Sequence, residues 1–190
     1  MIDAGDFKLK LKNYKPRLRG LKEVDSAKLR PASVLIPIVN IQTDPAIILT
    51  KRTDFLSVHA GQICFPGGKR EAEDHSSQAT ALRETEEEIG LDSSFVEMVG
   101  HLDFYHTISG FSVSPIVAFV RSGFRIKPDP TEVEEVFELP LHYILEKDRF
   151  EKGIMNYKGT EREYYLLHYK QYKIWGATAG MLKNLCDVIQ

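Results

Sequence analysis

Three glutamates, Glu84, Glu87 and Glu88, stand three and four residues apart in the stretch Arg83-Glu84-Thr85-Glu86-Glu87-Glu88-Ile89-Gly90-Leu91. In a helix those intervals put three carboxylates on one face, with neighbouring Cβ atoms about 5–6 Å apart. They repel one another there, and they lie in the last turns, where the helix dipole already disfavours negative charge. A solvated acidic face is the ordinary outcome of such a run, but it leaves that cost standing. Arg83 offsets part of it through an i,i+4 pair with Glu87. A hard divalent cation, Mg²⁺ or Mn²⁺, offsets the rest, because such ions take oxygen ligands and keep some of their waters. Ions of this kind neutralise phosphate oxygens, orient them and acidify a bound water. Glu84, Glu87 and Glu88 are therefore the candidate metal ligands, with Arg83 orienting them. A further carboxylate is needed as general base or to complete a second metal site. Glu132 and Glu135, expected on a loop after Pro130, are the candidates; plain surface charge is the alternative reading of both.

Other groups suit an anionic substrate. The planar fork of Arg52 matches phosphate oxygens. His59 and Gln62 can donate to phosphate or adenine. The backbone at Gly67 and Gly68 can approach a diphosphate closely because no Cβ intervenes. A strand-end surface arginine and a satisfied loop histidine are the competing readings of Arg52 and His59.

The elements that position these groups follow from pattern. Ala32–Val39 is apolar and β-branched, a buried strand, with Pro37 favouring an edge position or a bulge. Thr43-Asp44-Pro45 reads as a turn and 46–50 as a second strand. Ile63-Cys64-Phe65 is a short strand running into a turn at Pro66-Gly67-Gly68. Asp74 or Ser76 caps the glutamate helix, Gly90 ends it in the left-handed conformation, and Ala79, Leu82 and Ile89 form its apolar stripe. Further strands are expected at 95–104 and 113–120, a short helix at 139–145, a hairpin from 150–157 and 164–169 with its tip near Lys158, and a terminal helix at 177–189 with Met181, Leu182 and Leu185 inward. Strands interleaved with helices specify an α/β fold of one mixed sheet.

The chain has 190 residues, 43% hydrophobic and 27% charged, with formal net charge −2. That suits one soluble domain and excludes a nucleic-acid binder as the leading class. Cys64 and Cys186 give no disulfide framework and read as buried thiols in a reducing compartment. No run approaches the ~18 apolar residues of a membrane span. The start lacks a signal-peptide pattern and the end is not Ser-Lys-Leu. The expectation is a cytoplasmic protein with a small-molecule substrate, no membrane partner, and a homodimer as an allowed state. Residues 1–30 hold nine basic side chains against four acidic ones. They read as a basic, partly helical, solvated arm packed on or flanking the domain, with a minority reading as an edge that helps to hold an anionic substrate.

Gly67-Gly68-Lys69 with Arg83–Leu91 resembles the Nudix box. Leu49-Thr50-Lys51-Arg52, His59–Gly68, Ser109–Pro115 and Glu132–Phe137 resemble the extended signature of the coenzyme A diphosphatase branch of the Nudix hydrolases. The resemblance covers roughly residues 32–145 and weakly Trp175–Ala179. It implies a Nudix α/β/α sandwich with a mixed sheet over residues 31–190. It also implies Mg²⁺- or Mn²⁺-dependent cleavage of coenzyme A into 4′-phosphopantetheine and adenosine 3′,5′-bisphosphate. Five departures stand out. The interval from Gly68 to Arg83 is one residue longer than in the general box, a feature the branch shares. His75 falls where the general box has glutamate, Glu71 replaces an aspartate of the branch, and Thr85 takes an aliphatic position. Ser57 stands where the branch often has arginine, which removes one phosphate-binding cation. Hydrolysis of ADP-ribose, a dinucleotide or another nucleoside diphosphate derivative is the rival within enzymes. A catalytically silent nucleotide-binding module is the rival outside them.

Overall fold

A computed structural model describes residues 3–20, 28–54, 60–157 and 159–190; Lys22, Ser57, His59 and Lys158 lie outside the described residues. In chain order the elements are α1 (Ala4–Asn13), β1 (Leu18–Gly20), β2 (Arg30–Val39), β3 (Ala46–Arg52), β4 (Ile63–Cys64), β5 (Gly67–Lys69), α2 (Ser77–Ile89), β6 (Val96–His101), β7 (Phe104–His106) and β8 (Phe111–Val120). They continue with β9 (Val133–Pro140), α3 (Leu141–Leu145), β10 (Glu151–Tyr157), β11 (Thr160–Tyr169), β12 (Tyr172–Trp175) and α4 (Gly176–Ile189).

Among the described residues nine strands make one mixed sheet in the order β1-β7-β8-β2-β3-β4, with β5 added on β2, β6 on β8 and β9 on β3. Its centre is the parallel pair β2/β8, in register from Arg30↔Phe111 to Ile38↔Phe119. Strand alternation sends Leu35, Val39, Ile48, Ile116 and Ala118 to one face, where they cluster with Ala81 and Ile89 of α2. It sends Ile36, Ile38, Ile47, Leu49 and Val117 to the other, where they cluster with Phe7 and Leu11 of α1 and Leu182 and Leu185 of α4. Each such side chain contributes roughly 1.5–3 kcal/mol by leaving water. The result is the expected α/β/α sandwich. No described helix is long and apolar enough to cross a membrane.

Several expectations are corrected. Pro37 is not at an edge: β8 pairs along one side of it. Its other side lies where β5, paired at Ala32–Val34, hands over to β3, paired from Ile38. Leu35 N–H already points to that side, to Pro66 O at 2.9 Å, so two residues on Pro37 presents its missing donor to the gap, where no ladder bond is lost. Gly67-Gly68 is a strand paired with β2, not a turn. The start of the arm is helical and lies against the domain, so only its reading as solvated is corrected: Asp3 caps α1, and Phe7 and Leu11 are buried. Beyond it Tyr14 OH, Arg17 N and Arg19 Nε all donate to the buried Asp103 carboxylate. The segment expected as one strand at 95–104 begins with a 3-10 turn at Ser93–Phe95 and divides into β6 and β7. The acidic stretch after Glu132 is strand β9, so Glu135 is not on a loop. The late hairpin gains a third strand, β12, antiparallel to β11.

Candidate active site

The glutamate helix is built by its ends. Ser76 Oγ accepts from Ala79 N–H at 3.0 Å, and Gly90 closes the other end at φ 67° with its N–H on Glu86 O. A Cβ at Gly90 would meet Lys127 O at 3.0 Å, so both conformation and space call for glycine. The buried face, however, is Thr80, Ala81, Thr85, Glu88 and Ile89, while Ala79 and Leu82 are half-buried. Thr85 Oγ1 donates to Ala81 O at 2.6 Å and Thr80 Oγ1 to Ser76 O at 3.2 Å. Each threonine satisfies its own hydroxyl within the helix and can be buried at little cost. That rotation carries Glu88 inward.

Glu88 is 3% exposed. Its Oε1 accepts from Arg52 Nη1 at 3.0 Å and its Oε2 from Gly67 N–H at 3.1 Å. Burial pushes its pKa up to about 7; the Gly67 N–H and Arg52 pull against that rise, and Glu132 and Glu84 add to it. Arg52 also reaches Glu132 Oε2 at 3.3 Å. Glu132 is held from both sides: Thr53 N–H donates to its carbonyl, and its own N–H donates to Asp129 O. The amides of Lys127 and Asp129 donate in turn to Ile89 O and Glu88 O, the open carbonyls of the α2 end. One loop thus caps the helix and delivers Glu132 to Arg52.

Glu84 is half-buried beside Gly68: a Cβ there would lie 2.2 Å from its Oε2. Burial raises its pKa above the ordinary range. Arg83 Nη2 stands 2.9 Å from Glu84 Oε1, and Nη1 2.8 Å from Oε2 of the exposed Glu87. Arg83 is itself fixed by Asp74, with Nε to Oδ1 at 3.1 Å and Nη2 to Oδ2 at 3.0 Å, and by Lys69 O. The Arg83 guanidinium holds the Asp74 carboxyl far below its ordinary range. Asp74 is a positioning residue that the sequence offers as a helix cap and as the neighbour of His75, where the general box has glutamate; its tie to Arg83 has no local signal, because that partner is nine residues on.

Glu84, Glu88, Glu132, Arg52, Gly67 and Gly68 are therefore brought together. Glu87 stands at their edge, turned to Arg83. Glu135 is elsewhere: it accepts from Tyr172 OH at 2.5 Å. That bond pushes the tyrosine up to about 12. With Gln62, Lys51 and Trp175, Glu135 lines a cavity of about 470 Å³ at the β4 edge. His59 lies outside the described residues. The Cys64 thiol is pushed up to about 11 by burial and the Cys186 thiol to about 12, so neither is a thiolate nucleophile at neutral pH.

Among the described residues no three His, Cys, Asp or Glu side chains converge as a closed metal cage. The donor set still suits a hard cation. Mg²⁺ is held by one or two carboxylates, its own waters and substrate phosphate rather than by an all-protein cage. Glu84 and Glu88 supply such a pair, and burial penalises their charged forms, a cost that a bound cation would relieve.

A NUDIX domain model matches residues 29–157. Proteins described as "Uncharacterized Nudix hydrolase NudL" from Yersinia pestis (strain Pestoides F) and Yersinia pseudotuberculosis serotype O:1b (strain IP 31758) are each 39% identical over 164 residues, 86% of this chain and 82% of theirs. The crystal structure of a C. elegans Ap4A hydrolase binary complex superposes with TM-score 0.50 at 17% identity, over 60% of this chain and 82% of that one, a likeness of fold alone. With the family model spanning well over half of the sequence and the fold in agreement, the chain belongs to the NUDIX domain family.

Proposed function

We propose that the protein hydrolyses the diphosphate bond of coenzyme A or its derivatives, giving 4′-phosphopantetheine and adenosine 3′,5′-bisphosphate. Membership of the family supports the coarser reading, a Nudix hydrolase acting on a nucleoside diphosphate derivative. The observation that carries the chemistry is the buried Glu88, pinned between Gly67 N–H and Arg52 with Glu84 and Glu132 beside it.

Glu84, Glu87 and Glu88 are the residues assigned to hold Mg²⁺ or Mn²⁺. When bound, such an ion neutralises phosphate charge and acidifies water. Arg83, locked by Asp74, fixes Glu84 and Glu87. Arg52 presents its fork to phosphate, and it exchanges part of its pairing with Glu88 and Glu132 for the substrate. The amides of the Gly67-Gly68 strand line the approach. Glu132 is the assigned base, since Glu135 is engaged by Tyr172 and lines the other cavity. The coenzyme A branch is supported by the sequence of 49–52 and 59–68 and by the longer interval before Arg83. Ser57, in place of an arginine frequent in that branch, favours the second reading, hydrolysis of ADP-ribose or a dinucleotide.

The test is turnover of coenzyme A by the purified protein with Mg²⁺ or Mn²⁺, products resolved by chromatography, beside Glu87→Gln. Adenosine 3′,5′-bisphosphate from the wild type and strong impairment of the variant support the substrate and the metal role together. Intact coenzyme A with cleavage of ADP-ribose removes the substrate assignment and keeps the chemistry. Absence of cleavage of any nucleoside diphosphate derivative leaves a binding module.

A further inference from the structure

α2 covers its face of the sheet only as far as Leu35 and Ile116. One pair earlier on that face, parallel β2 and β8 place Ser33 beside Ser114, and before that Pro31 beside Ser112. The face changes from aliphatic to hydroxyl where the helix stops. A cavity of about 600 Å³ opens there, bounded by Ser33, Ser114, Arg70, Lys12, Ser77 and Phe104.

Ser33 and Ser114 are 2% and 8% exposed, and neither hydroxyl has a hydrogen-bond partner among the described residues. Both hydroxyls open onto the cavity and not onto another described protein group, so one wall offers two donors to something that accepts hydrogen bonds. Arg70 is fixed by its Nε and Nη2 donating to Asp74 O at 3.1 and 3.0 Å. No carboxylate among the described residues pairs with Arg70 or with Lys12, and none lines the cavity. Ser77 opens α2, and Ser76 Oγ takes only the Ala79 N–H, so the amides of Ser77 and Gln78 stay open at the positive end of the helix. Phe104, 46% exposed, lines the apolar side. Two unneutralised cations, the open Ser77 amide and two open hydroxyls on one hollow suit a dense, multiply accepting anion.

We infer that this cavity is a second binding site, for the phosphate group of a phosphorylated small molecule, distinct from the carboxylate centre. It lies close to that centre: Ser33 is the strand partner of Gly68, against which Glu84 rests. The same phosphate chemistry has two sources, a remote phosphate of the substrate itself or a separate phosphorylated metabolite. The site stands independently of which diphosphate the protein cleaves.

The experiment is calorimetric titration of inorganic phosphate into the metal-free full chain, the wild type beside Ser114→Val, Lys12→Glu and Arg52→Gln. Lys12 is exposed, so its variant tests the site even where Ser114→Val unfolds, which a thermal melt reports. Binding weakened about tenfold by either cavity variant, as expected for one lost contact to an anion, and unchanged by Arg52→Gln supports the site. No binding by the wild type at millimolar phosphate, or loss in Arg52→Gln alone, overturns it. Titration of adenosine 3′,5′-bisphosphate and adenosine 5′-monophosphate then separates the sources. A cavity variant that weakens only the bisphosphate assigns the site to the remote phosphate of a substrate. One that weakens both alike, or inorganic phosphate alone, assigns it to a separate ligand.

Discussion

Glu88 carries an energy that can be tested by titration near neutral pH. Burial moves its carboxyl from 4.5 to about 7. At about 1.4 kcal/mol per pH unit, that distance amounts to about 3 kcal/mol. The sign is that of a carboxyl that the fold prefers protonated. Below pH 4.5 the folded and unfolded chains both hold the proton. Between 4.5 and about 7 only the folded chain does, so folding takes up a proton and stability falls as pH rises. Above about 7 both are ionised and the full cost is in place. Glu88→Gln removes the titration and keeps an acceptor for Gly67 N–H. The assay is urea unfolding of the wild type and the variant with EDTA from pH 4.5 to 8. The wild type is expected to lose about 3 kcal/mol relative to the variant across that window. His101, whose pKa burial lowers, works in the opposite sense in both proteins and drops out of the difference. A flat difference, or a wild type that gains on the variant as pH rises, refutes the buried-charge account.

Adding Mg²⁺ should raise the melting temperature more at pH 8 than at pH 5, because the ion competes with the Glu88 proton; equal shifts at both pH values count against Glu88 as a ligand. Gly68→Ala puts a Cβ 2.2–2.6 Å from the flexible Glu84 carboxylate, so it should displace that group, cutting kcat at least ~10-fold with little loss of stability. Gly67→Ala instead meets Ser33 O at 2.4 Å and the Val34 Cα at 2.6 Å, both backbone, and should lower stability by ~2 kcal/mol or more in urea unfolding. Glu132→Gln should lower kcat by ~100-fold and Glu135→Gln by much less, and the reverse order in steady-state kinetics would move the base to Glu135. Phe7→Ala removes a ring packed 5.4 Å from that of Phe119 and should cost ~3–5 kcal/mol; a change below ~1 kcal/mol would detach α1 from the core.

Much of this is legible in the residues. Ser76 and Gly90 bracket the glutamate helix, and the β-branched run before Val39 marks a buried strand, because caps and alternation act over a few residues. The orientation of the helix is not legible. The stripe of Ala79, Leu82 and Ile89 weighs apolarity alone, whereas Thr80 and Thr85 close their hydroxyls on the preceding turn and go inside. The place of Glu88 depends on that choice. The arm has a readable signal, Phe7 and Leu11 four apart, which the surrounding lysines outweigh by number. The position of Pro37 is set by where β5 ends and β3 begins, a tertiary matter with no local trace. Glu132 and Glu135 look equivalent in sequence. The register shift between Lys51 and Arg52 helps to separate them, since Lys51 faces Glu135 but Arg52 faces Val133 across the ladder.

The loop that caps α2 makes its key ties through main-chain atoms, from Lys127 N and Asp129 N to the helix and from Thr53 N to Glu132. Main-chain ties are indifferent to which side chains the loop carries. The residues around them can therefore change by mutation, altering what the rim of the site selects, while the spacing between Glu88 and Glu132 stays constant. Such a loop lets selectivity drift across generations without the hydrolytic apparatus being rebuilt each time.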